Sequence, residues 1–379
     1  MHRLMAGVTI LEHELSELRL LVERQTGILL DCPNSALAAH VAEYLESQEL
    51  ESSAALMDRL RGSDQDPAVL PTFLDGVLNV NTGFFRHPGA MNALARQVVP
   101  QLYSRKSDDG FCTLRIWSAG CSTGEEAYSI AMALCDAIPG GNGNSNGASS
   151  GNASRDAREK SVASRNGGIA DNSGAAGAGQ SMGGQSTAGQ SMKDWSIHIV
   201  GSDLLPSAIG MAERGLYPQS ALTGLPPAAI RACFSKIGSP SGGQNGSQEA
   251  VQNPASNGSA GNRSANGSTN VTPSPTSGAH LLVKPRLRSL VTFNTMNLTK
   301  PVYIGRFDCI FCMDVLPHLS RVQRTALLER LHLYLEPGGY LFLSQTEKLC
   351  APNLNFRSET FDGYTFHRKP LAASAAYGR

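Results

Sequence analysis

Two long stretches of this chain cannot form a core, and they decide where the folded parts lie. From Pro139 to Lys193 it is nearly all Gly, Ser, Asn, Ala and Gln, without one aromatic residue. From Gly238 to Ala279 the same character returns with prolines added. Neither stretch buries enough apolar surface to offset an ordering entropy of roughly 1–2 kcal/mol per residue, so both are expected to be disordered. They explain why 39 glycines sit in a chain that is 41% hydrophobic and only 17% charged. Their Asn-x-Ser/Thr triplets, such as Asn152–Ala153–Ser154, read as chance matches. Long surface insertions add little closure entropy. A folded body of roughly 280 residues remains, enough for two domains.

Charge and apolar runs exclude several classes. Lys+Arg and Asp+Glu are balanced at 32 each, so no basic field points to nucleic acid or anionic lipid. No apolar run approaches the ~18 residues of a membrane span, and Glu12, Glu14 and Glu17 among the first leucines argue against a secretory signal. The scattered cysteines fit a reduced, cytoplasmic setting. Cys309 and Cys312 match C-x-x-C but fall inside a strand, where their thiols point to opposite faces. No metal site is expected.

The first third reads as a helical bundle. Ile10, Leu11, Leu15, Leu18, Leu21 and Val22 follow helical spacing up to a stop at Gly27. Asn34 or Ser35 is expected to cap a second helix with Leu37, Val41, Tyr44 and Leu45, and Ser52 or Ser53 a third with Leu56 and Leu60. A fourth starts near Pro67 and carries Phe73, Leu74, Val77 and Leu78.

After Gly110 the period changes. Strands are predicted at Thr113–Ser118, Ser196–Asp203, Leu290–Met296, Phe307–Cys312 and Tyr340–Leu343. Helices alternate with them at Glu125–Ala137, from Pro206, and at Arg321–Leu335, the last ended by Pro337–Gly338–Gly339. This alternation argues for an α/β parallel sheet covered on both faces, with Phe361–His367 closing an antiparallel hairpin at its edge. Cys233–Ile237 and His280–Lys284 read as arms of a small antiparallel sheet around the second insertion.

The chemistry concentrates on Ile116–Trp117–Ser118–Ala119–Gly120–Cys121–Ser122–Thr123–Gly124–Glu125–Glu126. Gly120 and Gly124 let a ligand approach the backbone at a strand's carboxyl end, and Asp203 ends the next strand, where an acid can accept ribose hydroxyls. Only part of the dinucleotide spacing is present, and the turn carries glutamates where a pyrophosphate wants bare amides. A ligand without phosphates and with positive charge suits it, as S-adenosylmethionine does.

The run WSAGCSTGEEAYSIAM resembles the cofactor motif of chemotaxis-receptor methyltransferases of the CheR type. So do NTGFFRHP at Asn81–Pro88, FDCIFCMDVL at Phe307–Leu316 and LEPGGYLFLSQTEKL at Leu335–Leu349. The resemblance implies an all-α N-terminal domain over 1–80 and a linker with the T-x-F-F-R motif over 81–110. A Rossmann-like S-adenosylmethionine-dependent methyltransferase domain follows over 111–370, and a tail over 371–379. Within the third unit lie the inserts at 139–193 and 238–279 and a β subdomain at 216–284.

Carried onto this sequence, Thr82 and Arg86 are expected to reach the cofactor, with Gly120, Glu126 and Asp203 beside it. Asn297 and Leu298 fall where adenine is expected. Met313 and Asp314 stand where the family has Arg–Asn, and His318 where it has an aromatic Tyr. Met313 cannot donate as Arg would, while Asp314 beside a cationic cofactor is acceptable. Val80, between Asn79 and Asn81, departs from the family's Asn. Arg86 and His318 are the candidates for contact with reacting groups. Glu125 has two readings, a dipole partner at the helix start or a cofactor contact. His87 reads as structural, and Phe84 and Phe85 as packing anchors.

The implied reaction is O-methylation of glutamate side chains on a receptor-like protein by a cytoplasmic monomer. A carboxylate of pKa ~4.3 is already ionised, so no general base is required. Two other functions fit: a cofactor-binding regulatory module, given Met313, Asp314 and His318, or methylation of a different acceptor. The second rests on Asn34–Leu50, which carries Glu43, Glu46 and Glu49 and no Lys or Arg where the family's docking helix is basic.

Overall fold

The computed structural model describes residues 10–62, 66, 68–78, 82–108, 113–137, 195–236, 280–301, 305–349, 351 and 353–371. Both low-complexity stretches, Asn79–Asn81 and the tail after residue 371 lie outside the described residues.

Four helices open the chain: α1 Glu12–Thr26, α2 Asn34–Ser47, α3 Ser53–Arg61 and α4 Val69–Asp75. Leu15, Leu18 and Val22 of α1 meet Leu37, Val41 and Leu45 of α2 and Leu56 and Leu60 of α3 in one apolar core. Ser52 caps α3 as expected, accepting from Ala55 N–H at 3.2 Å. Asn34 does not cap α2. Pro33 takes the cap position, because the Asn34 side chain is engaged by Arg19 Nη2 at 3.1 Å. Val77 and Leu78 lie beyond the end of α4 rather than on it.

Much of the segment read as a linker is helical. α5 Pro88–Ala93, a π-helical turn Leu94–Val98 and α6 Val99–Asp108 follow one another, and Ala90, Leu94, Val98 and Leu102 are buried in the same core as Ile116 and Ile130.

The second half builds the sheet. β1 Thr113–Ala119, α7 Glu125–Ala137, β2 Ser196–Asp203 and α8 Pro206–Arg214 come first. The small sheet follows: β3 Leu216–Pro218, α9 Pro227–Cys233, β4 Phe234–Lys236 and β5 His280–Val283, in the order β3-β5-β4. Then come α10 Pro285–Arg288, β6 Val291–Thr295, β7 Phe307–Phe311, α11 Arg321–Tyr334, β8 Leu335–Phe342, β9 Arg357–Phe361 and β10 Tyr364–Arg368.

The main sheet runs β6-β2-β1-β7-β8-β10-β9. Its first five strands are parallel and β10 pairs antiparallel with β8 and β9. The strand order reverses between β1 and β7, which opens a crevice at their carboxyl ends. Cys309 and Cys312 fall into cores on opposite sheet faces. One boundary differs from expectation. Pro337–Gly339 does not separate helix from strand but sits inside β8, whose pairing with β7 carries an irregularity between Phe307 and Cys309. Gly338 N–H and Gly339 O are taken by Lys369 O and N–H, so the interruption is absorbed as a bulge.

Candidate active site

A cavity of about 700 Å³ lies at this crevice, walled by the β-strand ends, the segment 82–87 and the α1–α2 loop, with Val77, Leu78 and Met91 also in the lining. The turn after β1 forms its floor. Gly120 N–H and Cys121 N–H both donate to Ser202 O, at 2.8 and 2.9 Å, which folds the turn over β2. Gly120 has φ 87°, and a Cβ there would stand 2.5 Å from Val315 Cγ2. Gly124 has φ 95° and leaves room for Ala212 and the Tyr217 hydroxyl.

Asp203 closes the turn from the side. Its Oδ2 accepts from Ser122 N–H at 2.9 Å and its Oδ1 from Leu205 N–H at 3.1 Å. Burial raises its carboxyl above the usual range, against the pull of these amides. Each oxygen keeps further acceptor capacity at the cavity wall. The Ser122 hydroxyl is buried there without a hydrogen-bond partner among the described residues.

The two neighbouring glutamates divide. Glu126 lines the cavity and accepts from the Ser118 hydroxyl at 2.6 Å. Burial pushes its carboxyl up to about 7; the charges of Asp314 and Glu347 act the same way, while Ser118 and Arg86 oppose. Glu125 is buried away from the cavity, accepting from Thr123 Oγ1 at 2.7 Å and Thr82 Oγ1 at 3.4 Å. Of its two sequence readings the geometry favours a local structural one, tying the segment 82–87 to the start of α7.

That segment crosses the cavity as an arm. Phe84 packs edge-on against Tyr217 and Phe234 at 4.9 and 5.4 Å between centroids, as an anchor should. Phe85, at φ 51°, packs against the same core and also contributes to the cavity wall, with its N–H donated to Ser129 Oγ at 2.9 Å. Thr82 and Arg86 also line the cavity. Arg86 Nε lies 3.1 Å from Asp314 Oδ2, with the arginine side chain 39% exposed.

Opposite the arm stands the turn after β7. Met313, Asp314 and His318 line the cavity there, Met313 buried and His318 exposed at the rim. Asp314 has φ 58°. Asn297 and Leu298 complete the wall after β6. Asn297 Oδ1 accepts from Thr299 N–H at 2.9 Å, and Arg330 donates to Leu298 O at 2.7 Å and to Thr299 O at 2.6 Å. The candidate cofactor and acceptor contacts, from Thr82 and Arg86 to Asp314 and His318, therefore all border one cavity, whereas Gly124, Glu125 and Phe84 do not line it.

Two contributors were not singled out in the sequence. The α1–α2 loop supplies Leu29 to Pro33 to the wall; Leu29 N–H donates to His318 O at 2.8 Å, and Ile28 bridges Leu319. Glu347, present in the sequence only as part of a longer motif, accepts from the N–H groups of Asp314 at 3.2 Å, Leu316 at 2.9 Å and Ser344 at 2.8 Å.

Comparison with known proteins matches residues 80–146 and 269–364 to the family model "CheR methyltransferase, SAM binding domain". Chemotaxis protein methyltransferase 1 of Pseudomonas aeruginosa is 25% identical over 355 residues, 90% of this chain and 96% of that protein. Chemotaxis protein methyltransferase Cher2 of Pseudomonas putida is 25% identical over 360 residues, 91% of this chain and 98% of that one. Chemotaxis protein methyltransferase 1 of Vibrio cholerae is 23% identical over 351 residues, covering 92% and 93%.

Proposed function

We propose that this chain, a member of the CheR methyltransferase family with its S-adenosylmethionine-binding domain, esterifies glutamate side chains of a chemoreceptor-like protein in the cytoplasm. The observation that carries this is the convergence of the arm, the glycine turn, the strand-end acids Asp203 and Asp314, and Glu126 of α7 on one cavity.

The residues suit the cofactor. Asp203 has acceptor capacity for ribose hydroxyls, and the buried Ser122 hydroxyl has a hydrogen bond to make. Asp314 and Glu126 supply negative potential where a sulfonium and an ammonium would sit. Asn297 and Leu298 offer an edge and an apolar face to adenine. Bound there, S-adenosylmethionine supplies an electrophilic methyl group.

The chain's own work is positioning. An acceptor glutamate is ionised at neutral pH and needs no base. Arg86 lines the cavity from a partly exposed position with its Nε on Asp314, which supports a role for its guanidinium in holding a carboxylate as a fork donor does. His318 sits at the rim, where an acceptor enters. The α1–α2 loop over the crevice excludes water from the reacting groups.

Incubation with methyl-labelled S-adenosylmethionine and the cytoplasmic fragment of a chemoreceptor should give label that mild alkali releases, as a methyl ester requires. Alkali-stable label would mean another acceptor atom, and cofactor binding without transfer would leave a regulatory module. Replacing Arg86 by Lys should lower transfer; full activity in that variant would remove its role.

A second reading concerns the acceptor alone. Glu43, Glu46 and Glu49 on and just after α2 are all exposed, a surface that repels an acidic helical bundle. A methyl-accepting protein with a neutral or basic docking face fits better. Salt should strengthen binding of an acidic receptor fragment and weaken binding of a basic one.

A further inference from the structure

His87 follows the arm's arginine directly, and both residues turn to one oxygen. Arg86 Nε lies 3.1 Å and His87 Nε2 2.8 Å from Asp314 Oδ2. Asp314 is itself fixed. Its left-handed backbone is held by Glu347, which accepts its N–H and that of Leu316, and which Ser344 N–H anchors to the end of β8. The histidine is fixed as well, since its carbonyl accepts from Ala90 N–H at 3.1 Å and Met91 N–H at 3.3 Å at the start of α5.

Neither partner of the Arg86–Asp314 pair is buried, with side chains 39% and 35% exposed. Water and salt compete for such a pair, and alone it orders a long side chain poorly. The His87 side chain is only 22% exposed and takes the same oxygen over a shorter reach. A second, less exposed partner on the same oxygen restrains the carboxylate.

We propose that His87 is a positioning residue for methyl transfer: together with the Glu347-held turn it fixes Asp314, and thereby sets the orientation of the Arg86 guanidinium at the cavity wall. This rests on the functional reading above, in which Arg86 orients a carboxylate.

The test uses the full chain with 15N-labelled arginine, reading the Arg86 Nε–Hε signal together with steady-state methyl transfer. His87→Leu should move that signal toward the solvent-averaged position. It should lower kcat about tenfold, the scale of a misoriented group, with KM for S-adenosylmethionine within about threefold. His87→Gln keeps an N–H donor and should recover most of both. Should His87→Leu not fold, His87→Phe keeps the ring volume without the donor and replaces it. An unchanged Arg86 signal, an unchanged kcat, or a Gln variant as impaired as the Leu variant would each overturn the proposal. If the wild-type chain transfers no methyl to any receptor fragment, the acceptor assignment fails by itself; an Arg86 signal indifferent to His87→Leu then still overturns the positioning role.

Discussion

The turn after β1 and the turn after β7 face each other across one crevice but are held by different means. The first is held from the strand next to it. Gly120, Ser122 and Gly124 all take left-handed backbone, and the bonds that close it run to the adjacent strand, at Ser202 O and Asp203. The second has a non-glycine residue, Asp314, in the left-handed region and depends on a carboxylate reaching in from beyond β8. The two meet where Val315 Cγ2 occupies the space a Cβ on Gly120 would need. At Gly120 and Gly124 the left-handed shape carries no Cβ penalty, so the first turn needs less outside support to keep it. A carboxylate-held turn is only as rigid as its hydrogen bonds.

Substitutions at the first turn should therefore do the most damage. Gly124→Ala places a Cβ 2.7 Å from Ala212 Cβ at φ 95° and is expected to cost about 3 kcal/mol through strain and overpacking, read from urea denaturation midpoints. At Gly120, alanine should push the turns apart and weaken S-adenosylhomocysteine binding about tenfold or more by calorimetry. An unchanged affinity would show that the second turn yields.

Glu347→Gln tests the second turn. The amide keeps one acceptor oxygen for three N–H groups and should lose about 2 kcal/mol, with methyl transfer falling further than stability alone explains. Equal losses in both would mean that Glu347 supports the fold and not the site.

Glu126 ties the two turns electrostatically. Its carboxyl is held up to about 7, against an ordinary 4.5, so the folded chain binds that proton more tightly than the unfolded one. The stability it contributes is complete below the unfolded value and is lost as pH rises through about 7. Between about pH 5 and 8, Glu126→Gln should flatten the fall in stability by roughly 1–3 kcal/mol, measured by chemical denaturation across pH. The smallest effect is expected from Thr82→Val, which gives up a single 3.4 Å bond to Glu125, about 0.5 kcal/mol.

The same contrast governs what could be read from the amino acids. Gly120, Gly124 and Asp203 announce a ligand turn because each has a local reason to be where it is. Glu125 and Glu126 look equivalent as neighbours, and only burial and the Thr82 contact send one into the wall and the other to the cavity. Asn34 has the chemistry of a cap, but Arg19, fifteen positions earlier, takes its side chain. His87 lies in the arm's motif, but its partner Asp314, 227 positions away, is not legible there.

By itself the sequence determined the helical bundle, the alternating strands and helices, and the glycine turn with its acid, because period and backbone permissiveness are encoded residue by residue. Only the tertiary structure decided that the α1–α2 loop walls the cavity, that Glu347 holds Asp314, and that Arg86 and His87 share one oxygen. Those contacts join segments far apart along the chain that only packing brings together, and a hydrogen bond between distant groups leaves no trace in the local pattern of either.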